Sequence, residues 1–131
     1  MLEPGALTTV QDWPGRLGYW QVGVPPSGPM DEVSLREANL AVGNPEGAPA
    51  LECTATGPSL KFSHDTVVCL GGAVAAALLD GLGNPDGSGG PGGPGGRGGP
   101  GGRPVPWWEA FTVPAGATLT ISAIGDRKSV V

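Results

Sequence analysis

The sequence is short of the residues on which most catalytic and metal sites depend. Its 131 residues include one histidine, His64, and two cysteines. A Ser-His or Cys-His pair could therefore use only that one imidazole, and Ser27 does not lie in a Gly-x-Ser-x-Gly elbow. With no close group of carboxylates either, we expect no metal site. Cys53 and Cys69 stand alone in apolar segments, so we expect two buried thiols in a reducing compartment.

Positive charge and long apolar runs are also scarce. Seven Lys and Arg residues against twelve Asp and Glu residues give a formal net charge of −5. This balance argues against nucleic acid and against an anionic membrane surface as partners. No apolar run approaches the roughly 20 residues that span a bilayer. The first five residues lack the charged and apolar regions of a secretory signal, so we expect a cytoplasmic protein.

Glycine and proline, by contrast, are abundant, with 25 and 15 residues. Much of the excess lies in residues 82–102, where every third residue from Gly89 to Gly101 is glycine. Collagen needs many such triplets with imino acids, whereas this run is short and also has glycine at the X position. We therefore interpret residues 82–102 as a flexible insert at the tip of a hairpin.

The stretch from Gly23 to Asp31 combines three prolines with two glycines. Because proline fixes φ and glycine permits positive φ, this composition favours one particular backbone conformation. It predicts a helix start, with Ser27 or Gly28 as N-cap and Pro29 in the first helical position. A rigid loop that feeds a helix N-terminus presents N–H groups and short polar side chains, which suits a small polar ligand. The alternative is a plain helix-entry turn.

The rest of the pattern is mainly β. One helix is predicted from Pro29 to Val42, ended by Gly43. Alternating or β-branched segments predict short strands on both sides of it. Asp80-Gly81 is a hairpin signal, so residues 73–79 are read as a strand despite their alanines. The predicted fold is a mainly β, barrel or sandwich-like domain with one short helix. Its predicted strands are 6–10, 17–24, 51–56, 60–63, 66–70, 73–79, 110–113 and 119–124.

Several long motifs, in a constant order, carry a resemblance. Residues 8–16 read Thr-Thr-Val-Gln-Asp-Trp-Pro-Gly-Arg and are followed by Gly18-Tyr19-Trp20 and the Gly23–Asp31 loop. In these segments the chain resembles the carboxyltransferase family of urea carboxylase (urea amidolyase), allophanate hydrolase subunit 2 and the C subunit of 5-oxoprolinase. Pro-Val-Pro-Trp-Trp-Glu at 104–109 is most similar to the urea carboxylase branch. The resemblance continues at residues 38–40, 42–47, 51–52, 57–58 and 113–116.

The resemblance implies a domain organisation. It covers most of residues 2–125, so residues 1–125 are expected to be the N-terminal part of a carboxyltransferase domain with a cyclophilin-like fold. Relatives pass almost directly across the place where residues 82–102 are inserted, and residues 126–131 form an unmatched tail. Because relatives continue well beyond this point, the chain is expected to be inactive alone.

The resemblance also implies a function. The chain is expected to be part of a biotin-dependent carboxyltransferase that moves a carboxyl group from carboxybiotin to urea, giving allophanate. The related possibility is the ATP-dependent 5-oxoprolinase complex, an amide hydrolase. No cofactor would bind directly: a partner domain would bring carboxybiotin, and ATP would be used elsewhere in the complex. The implied partners are biotin-carrier and biotin carboxylase segments or a sister carboxyltransferase subunit. A non-catalytic interaction module, like the family member that antagonises a sporulation-kinase inhibitor, is the alternative.

Carboxyl transfer needs donors for developing negative charge, a base for the acceptor nitrogen and close positioning. Urea offers one carbonyl acceptor and four N–H donors, which carboxylates and amides match. The structural alternative makes Asp12 and Asp31 caps or turn formers, and Asn39 and Glu52 partners of backbone groups. The candidates from the family-like segments are Asp12, Asp31 and Asn39 as catalytic residues, and Gln11, Ser27, Gly28 and Glu52 as substrate-binding residues.

Overall fold

The structure, a computed structural model, describes residues 1–73, 75–81, 102–124 and 129–130. The predicted insert at 82–102 lies outside these residues except for Gly102, and the predicted tail at 126–131 lies outside them except for two residues. Within the described part, no helix is long and apolar enough to cross a membrane.

The described residues form a mainly β, sandwich-like fold with one α-helix, as predicted. All strand pairs are antiparallel, and the sheets are open: their strand orders are β1-β2-β10-β5, β3-β9-β6-β7 and β4-β8. The elements are β1 (Leu7–Gln11), a 3₁₀ helix (Trp20–Val22), α1 (Glu32–Ala41), β2 (Ala50–Thr54), β3 (Ser59–Lys61), β4 (Thr66–Val68), β5 (Gly71–Gly72), β6 (Ala75–Asp80), β7 (Arg103–Pro104), β8 (Phe111–Val113), β9 (Thr118–Ile124) and β10 (Ser129–Val130).

The core is built on the pairing of β6 with β9. Leu119 and Ile121 alternate along β9 with half-buried threonines, so one face of the strand enters the core. Ala77 and Leu79 of β6 meet it from the neighbouring strand. Alanine favours helices, but pairing on both sides with β9 and β7 makes this segment a strand, as predicted. The other buried members of the core are Cys53, Val68, Leu70, Val113 and Ala117.

The end of α1 is as predicted. Val42 is the C-cap and Gly43 follows with φ 81°. The Gly43 N–H donates to the Leu40 carbonyl at 3.1 Å, and the Asn44 N–H donates to the Asn39 carbonyl at 2.9 Å. These two bonds form a Schellman motif, which satisfies carbonyl groups that the helix end leaves open.

The predicted start of α1 was wrong. The helix begins at Glu32, with Asp31 as N-cap, and not at Pro29 after a cap by Ser27 or Gly28. Ser27 is already paired with Arg16 through two backbone hydrogen bonds. The Met30 N–H is taken by the Glu52 carboxylate at 2.6 Å. Because these partners hold the chain in a non-helical path, the first helical turn forms only after Met30.

The predicted strand at residues 17–24 was also wrong. The segment loops out between Arg16 and Ser27 and contains the 3₁₀ helix. Gly18 and Gly23 adopt φ 84° and 79°, which turn the chain twice within six residues. The aromatic and β-branched residues that suggested a strand therefore lie at the surface.

Strand β2 is buried on both faces, although its alternation of apolar and polar residues is typical of a strand with one buried face. Glu52 and Cys53 are adjacent, yet they are only 4% and 0% exposed. Cys53 joins the core cluster on one face of β2, and the Met30 segment contacts the Glu52 side chain on the other, so both faces are covered. Ala55 lies beyond the strand, in a turn with φ 66°. The two described residues of the predicted tail form β10, which pairs with β2 and β5.

Candidate functional site

Two family-like segments meet at one corner of the fold, here called the Asp12–Ser27 corner and made of residues 12–16 and 27–28. The Arg16 N–H donates to the Ser27 carbonyl at 2.7 Å, and the Ser27 N–H donates back at 3.2 Å. A Cβ atom on Gly28 would lie 3.4 Å from the Pro14 carbonyl oxygen and 3.7 Å from that of Asp12. The corner thus brings three candidates together, namely Asp12, Ser27 and Gly28.

The absence of a side chain at Gly15 permits this contact. Gly15 has φ 74°, and a Cβ atom there would collide with the Ser27 carbonyl oxygen. Only glycine combines that backbone conformation with so close an approach. The close packing of residues 12–16 against residues 27–28 therefore depends on Gly15, although about a dozen residues separate the two segments in sequence.

Helix α1 and the loop after it support the other side of the corner. The Trp13 indole N–H donates to the Glu32 carboxylate at 3.2 Å. Arg36 lies over the Trp13 ring and pairs with Glu46. A Cβ atom on Gly47 would collide with the Trp13 carbonyl oxygen, so the loop passes directly against the turn. Trp13, Arg36 and Glu46 were not among the predicted site residues. In the sequence, Gly47 is the one sign that the loop after α1 passes close to the Trp13 turn.

The corner carries several polar groups, some of which have no partner within the described part of the chain. Asp12 and Ser27 are exposed, and neither side chain has a hydrogen-bond or ion-pair partner within the described ranges. The Gly28 N–H has no partner among the same residues. Arg16, which was not among the predicted residues, donates from Nη2 to the Pro25 carbonyl at 3.3 Å. The corner therefore offers a carboxylate, a hydroxyl, an N–H group and a cation.

Two further candidates, Asp31 and Glu52, bind the protein's own chain. The Asp31 carboxylate accepts hydrogen bonds from the Ser34 N–H at 3.0 Å and the Ser34 hydroxyl at 2.6 Å. The Glu52 carboxylate accepts the Met30 N–H, as described above. Both side chains thereby hold the segment that joins the corner to α1. Gln11, at the end of β1, donates from its amide to the Thr9 hydroxyl at 3.1 Å.

Asn39 is buried in α1, only 4% exposed. Its amide nitrogen donates to the carbonyl groups of Glu46 and Ala48 at 3.3 and 2.7 Å, and its oxygen accepts from the Asn44 amide at 3.3 Å. Asn39 also borders a cavity of about 220 Å³ between α1 and strands β2 to β4. The residue fastens the loop after α1, which in turn lies against Trp13.

Buried thiols add no nucleophile. Burial raises the pKa of Cys53; a hydrogen bond from Thr8 opposes this, and the Glu52 charge adds to it. Burial also raises the pKa of Cys69. Both thiols are therefore protonated at neutral pH. In the described part of the chain, no three His, Cys, Asp or Glu residues are grouped in a way that could hold a metal ion.

Known proteins match most of this chain. Residues 22–128 match the family model for the carboxyltransferase domain, subdomain A and B. Urea amidolyase of Saccharomyces cerevisiae is 56% identical over 78 residues, which are 60% of this chain and 4% of that protein. The C subunit of Escherichia coli 5-oxoprolinase is 44% identical over 80 residues, 61% of this chain and 26% of that protein.

The fold agrees with a solved relative. The crystal structure of Kluyveromyces lactis urea carboxylase matches 98% of this chain with a TM-score of 0.78 and 37% sequence identity. The match covers 10% of that chain. The matched segment of this chain therefore spans only 4% to 26% of the length of these three relatives. Because the family model matches well over half of its residues, the chain belongs to the carboxyltransferase domain family, subdomain A and B.

Proposed function

We propose that this chain forms one wall of a carboxyltransferase site at which a carboxyl group passes to urea, giving allophanate. The observation that carries the proposal is the Asp12–Ser27 corner, where the backbones of two segments distant in sequence meet and each segment carries polar groups without a partner in the described part of the chain. The similarity to urea amidolyase and to urea carboxylase supports urea as the acceptor. Because this chain spans so small a share of its relatives, we propose that it does not turn over urea alone.

The donor groups of the corner fit such a reaction. Carboxybiotin, brought by a biotin-carrier segment of a partner, supplies the carboxyl group, and ATP is consumed elsewhere in the complex. Asp12 would accept a urea N–H and take the proton that the attacking nitrogen loses as its new N–C bond forms. The bond between the carboxyl carbon and the biotin nitrogen would break in the same transfer, and that nitrogen would leave with the bonding electrons and regain a proton. The Ser27 hydroxyl and the Gly28 N–H donate to the oxygen that gains negative charge. The Arg16 guanidinium offsets the charge of the carboxyl group that is transferred.

The remaining candidates have supporting parts in this proposal. Asp31 and Glu52 hold the Met30–Asp31 segment, and Asn39 holds the loop that lies against Trp13. Their side chains already bind the protein. They therefore act as positioning residues, because a displacement of about 1 Å at such a corner is enough to slow a reaction roughly 100-fold. Gln11 is the last residue of β1 and directly precedes Asp12 in the chain.

A second candidate function is a part in 5-oxoproline cleavage. The similarity to the C subunit of Escherichia coli 5-oxoprolinase favours it, with a higher share of that protein covered than for urea amidolyase. In this case the corner binds the cyclic amide of 5-oxoproline, whose N–H and carbonyl group suit Asp12 and Ser27.

A chimera separates these candidates. Residues 1–131 replace the matching segment of Kluyveromyces lactis urea carboxylase, and urea-dependent carboxylation is followed with labelled bicarbonate. We expect activity in the chimera and none in the isolated chain with free carboxybiotin and urea. Turnover by the isolated chain at about 1 per second or more would contradict the one-wall proposal. An inactive, folded chimera, together with activity of the corresponding Escherichia coli 5-oxoprolinase chimera, would favour the second candidate.

Asp12→Asn tests the proposed base within the active chimera. We expect kcat to fall by about 100-fold or more, the usual contribution of a general base. Glu37→Gln is the matched control, since Glu37 is an exposed carboxylate on α1 and is not one of the corner's residues. Equal activity of the two variants would contradict the role of Asp12.

A further inference from the structure

A ten-residue arm, residues 17–26, projects from the Asp12–Ser27 corner. It contains no charged residue. Four of its apolar side chains are largely exposed: Leu17 by 54%, Tyr19 by 56%, Trp20 by 71% and Val22 by 68%. Exposed apolar residues scattered singly are ordinary, whereas these four lie within six residues of one loop, as in surfaces that bind a partner.

The arm is held in one shape. The Tyr19 carbonyl accepts hydrogen bonds from the Val22 N–H at 3.1 Å and the Val24 N–H at 3.2 Å. The Gly23 N–H donates to the Trp20 carbonyl at 3.0 Å, which caps the 3₁₀ helix. At its base, the paired backbones of Arg16 and Ser27 close the arm. A partner would therefore meet a preorganised surface and would lose little free energy in ordering it.

We infer that this arm docks against the part of a carboxyltransferase polypeptide that lies outside the segment matched by this chain. Trp and Tyr are the residues that most often dominate the binding energy of protein interfaces, and charged residues are depleted at interface centres. In Kluyveromyces lactis urea carboxylase the same fold occupies 10% of a longer chain, so it is accompanied there by much further protein surface. The arm is an uncharged, exposed apolar segment that lies directly beside the corner.

This inference rests on the proposed function and extends it. The arm leaves the fold at Arg16 and returns at Ser27, the two residues that frame the corner. A protein surface bound to the arm would therefore stand next to Asp12 and Ser27 and would form the opposite wall of the site. The competing occupant is a second copy of this chain, which the net charge of −5 on each copy disfavours.

Oxidative footprinting of Trp20 tests the inference. Hydroxyl-radical labelling of Trp20, relative to Trp108, is compared between the isolated chain and the Kluyveromyces lactis chimera. We expect labelling to fall by about tenfold in the chimera, as for a side chain that enters a desolvated hot spot. If the whole-segment chimera does not fold, residues 17–26 alone are transplanted and labelled in the same way.

The outcomes separate this inference from the proposed function. Unchanged labelling of Trp20 in an active chimera would overturn the docking and leave the function standing. Protection of Trp20 in a chimera that carboxylates no urea would support the docking and count against the function. Protection that rises with the concentration of the isolated chain would show a second copy as the occupant and would overturn the inference.

A variant pair gives an independent measurement. Trp20→Ser with Val22→Ser should leave the melting temperature of the isolated chain almost unchanged, because both side chains are exposed. In the chimera the same pair should lower the melting temperature of the carboxyltransferase region, since it removes buried contacts. Leu2→Ser, at a position 58% exposed but outside the arm, is the control and should have no effect in either setting. An equal response of the chimera to both changes would argue against docking by the arm.

Discussion

The guanidinium carbon of Arg36 lies 4.4 Å from the centroid of the Trp13 ring. Arg36 also binds one carboxylate oxygen of Glu46 through Nε and Nη2, at 3.1 and 2.8 Å. Trp13 in turn donates to Glu32 at the start of α1. The turn that carries Asp12 is therefore clamped between the first turn of α1 and the loop that follows the helix.

Arg36→Lys tests this clamp. Lysine keeps the charge but loses the planar stack on Trp13 and the two-pronged contact with Glu46. The pair is partly exposed, so we expect a loss of only about 1 kcal/mol in the free energy of unfolding. Guanidinium chloride is the denaturant, because urea is the proposed substrate. Arg103→Lys, at an exposed position on β7, is the control; equal stability of the two variants would show that the clamp contributes nothing.

Gly15 and Gly18 form a matched pair for the contact at the corner. Both have positive φ, 74° and 84°, so alanine costs about 1 kcal/mol of backbone strain at either one. A Cβ atom on Gly18 meets nothing within 4 Å, whereas one on Gly15 collides with the Ser27 carbonyl. We expect Gly15→Ala to cost about 1–3 kcal/mol more than Gly18→Ala, as overpacking does. Similar melting temperatures would mean that the two segments are not in contact.

Substitutions at Asp31 and at Asp12 are expected to differ: the first should lower stability, and the second should leave stability almost unchanged. Asp31→Ala removes the N-cap of α1 and should lower the free energy of unfolding by about 1 kcal/mol. Asp31→Ser, which restores a capping oxygen, should recover most of it. Asp12→Ala should change stability by less than about 0.5 kcal/mol, since the Asp12 side chain has no partner in the described part of the chain. Should Asp31→Ala leave stability intact but abolish carboxylation in the chimera, Asp31 contacts substrate and its capping is secondary.

The buried thiols predict a loss of stability at high pH. The pKa values of Cys53 and Cys69 are raised by burial above the ordinary thiol value near 9.0. The unfolded chain therefore loses these protons first, and the contribution of the thiols is complete below pH 9 and is lost as pH rises through the folded-state pKa values. Unfolding curves between pH 8 and about 11 measure this. The double variant Cys53→Ala, Cys69→Ala should show a weaker decline, and an identical decline would rule out the thiols as its cause.

Local chemistry determined the features that the sequence predicted correctly. The end of α1 follows from Gly43, because a left-handed residue can close the last turn only where no Cβ interferes. Strand β9 follows from the alternation of Leu119 and Ile121 with threonines, which suits a sheet with one buried face. The family motifs, read in order, identified the carboxyltransferase family that the matching of residues 22–128 shows.

Tertiary contacts decided the rest. Ser27 has the chemistry of an N-cap, but its backbone pairs with Arg16, so Asp31 caps the helix instead. Glu52 alternates with apolar residues as a surface residue would, but the Met30 segment covers it. Asp12 and Ser27 lie at one corner because Gly15 lets two backbones approach across a loop, and the ten residues of that loop stay outside the core. Contacts between residues distant in sequence obey no local period, and so they became visible only when the chain was folded.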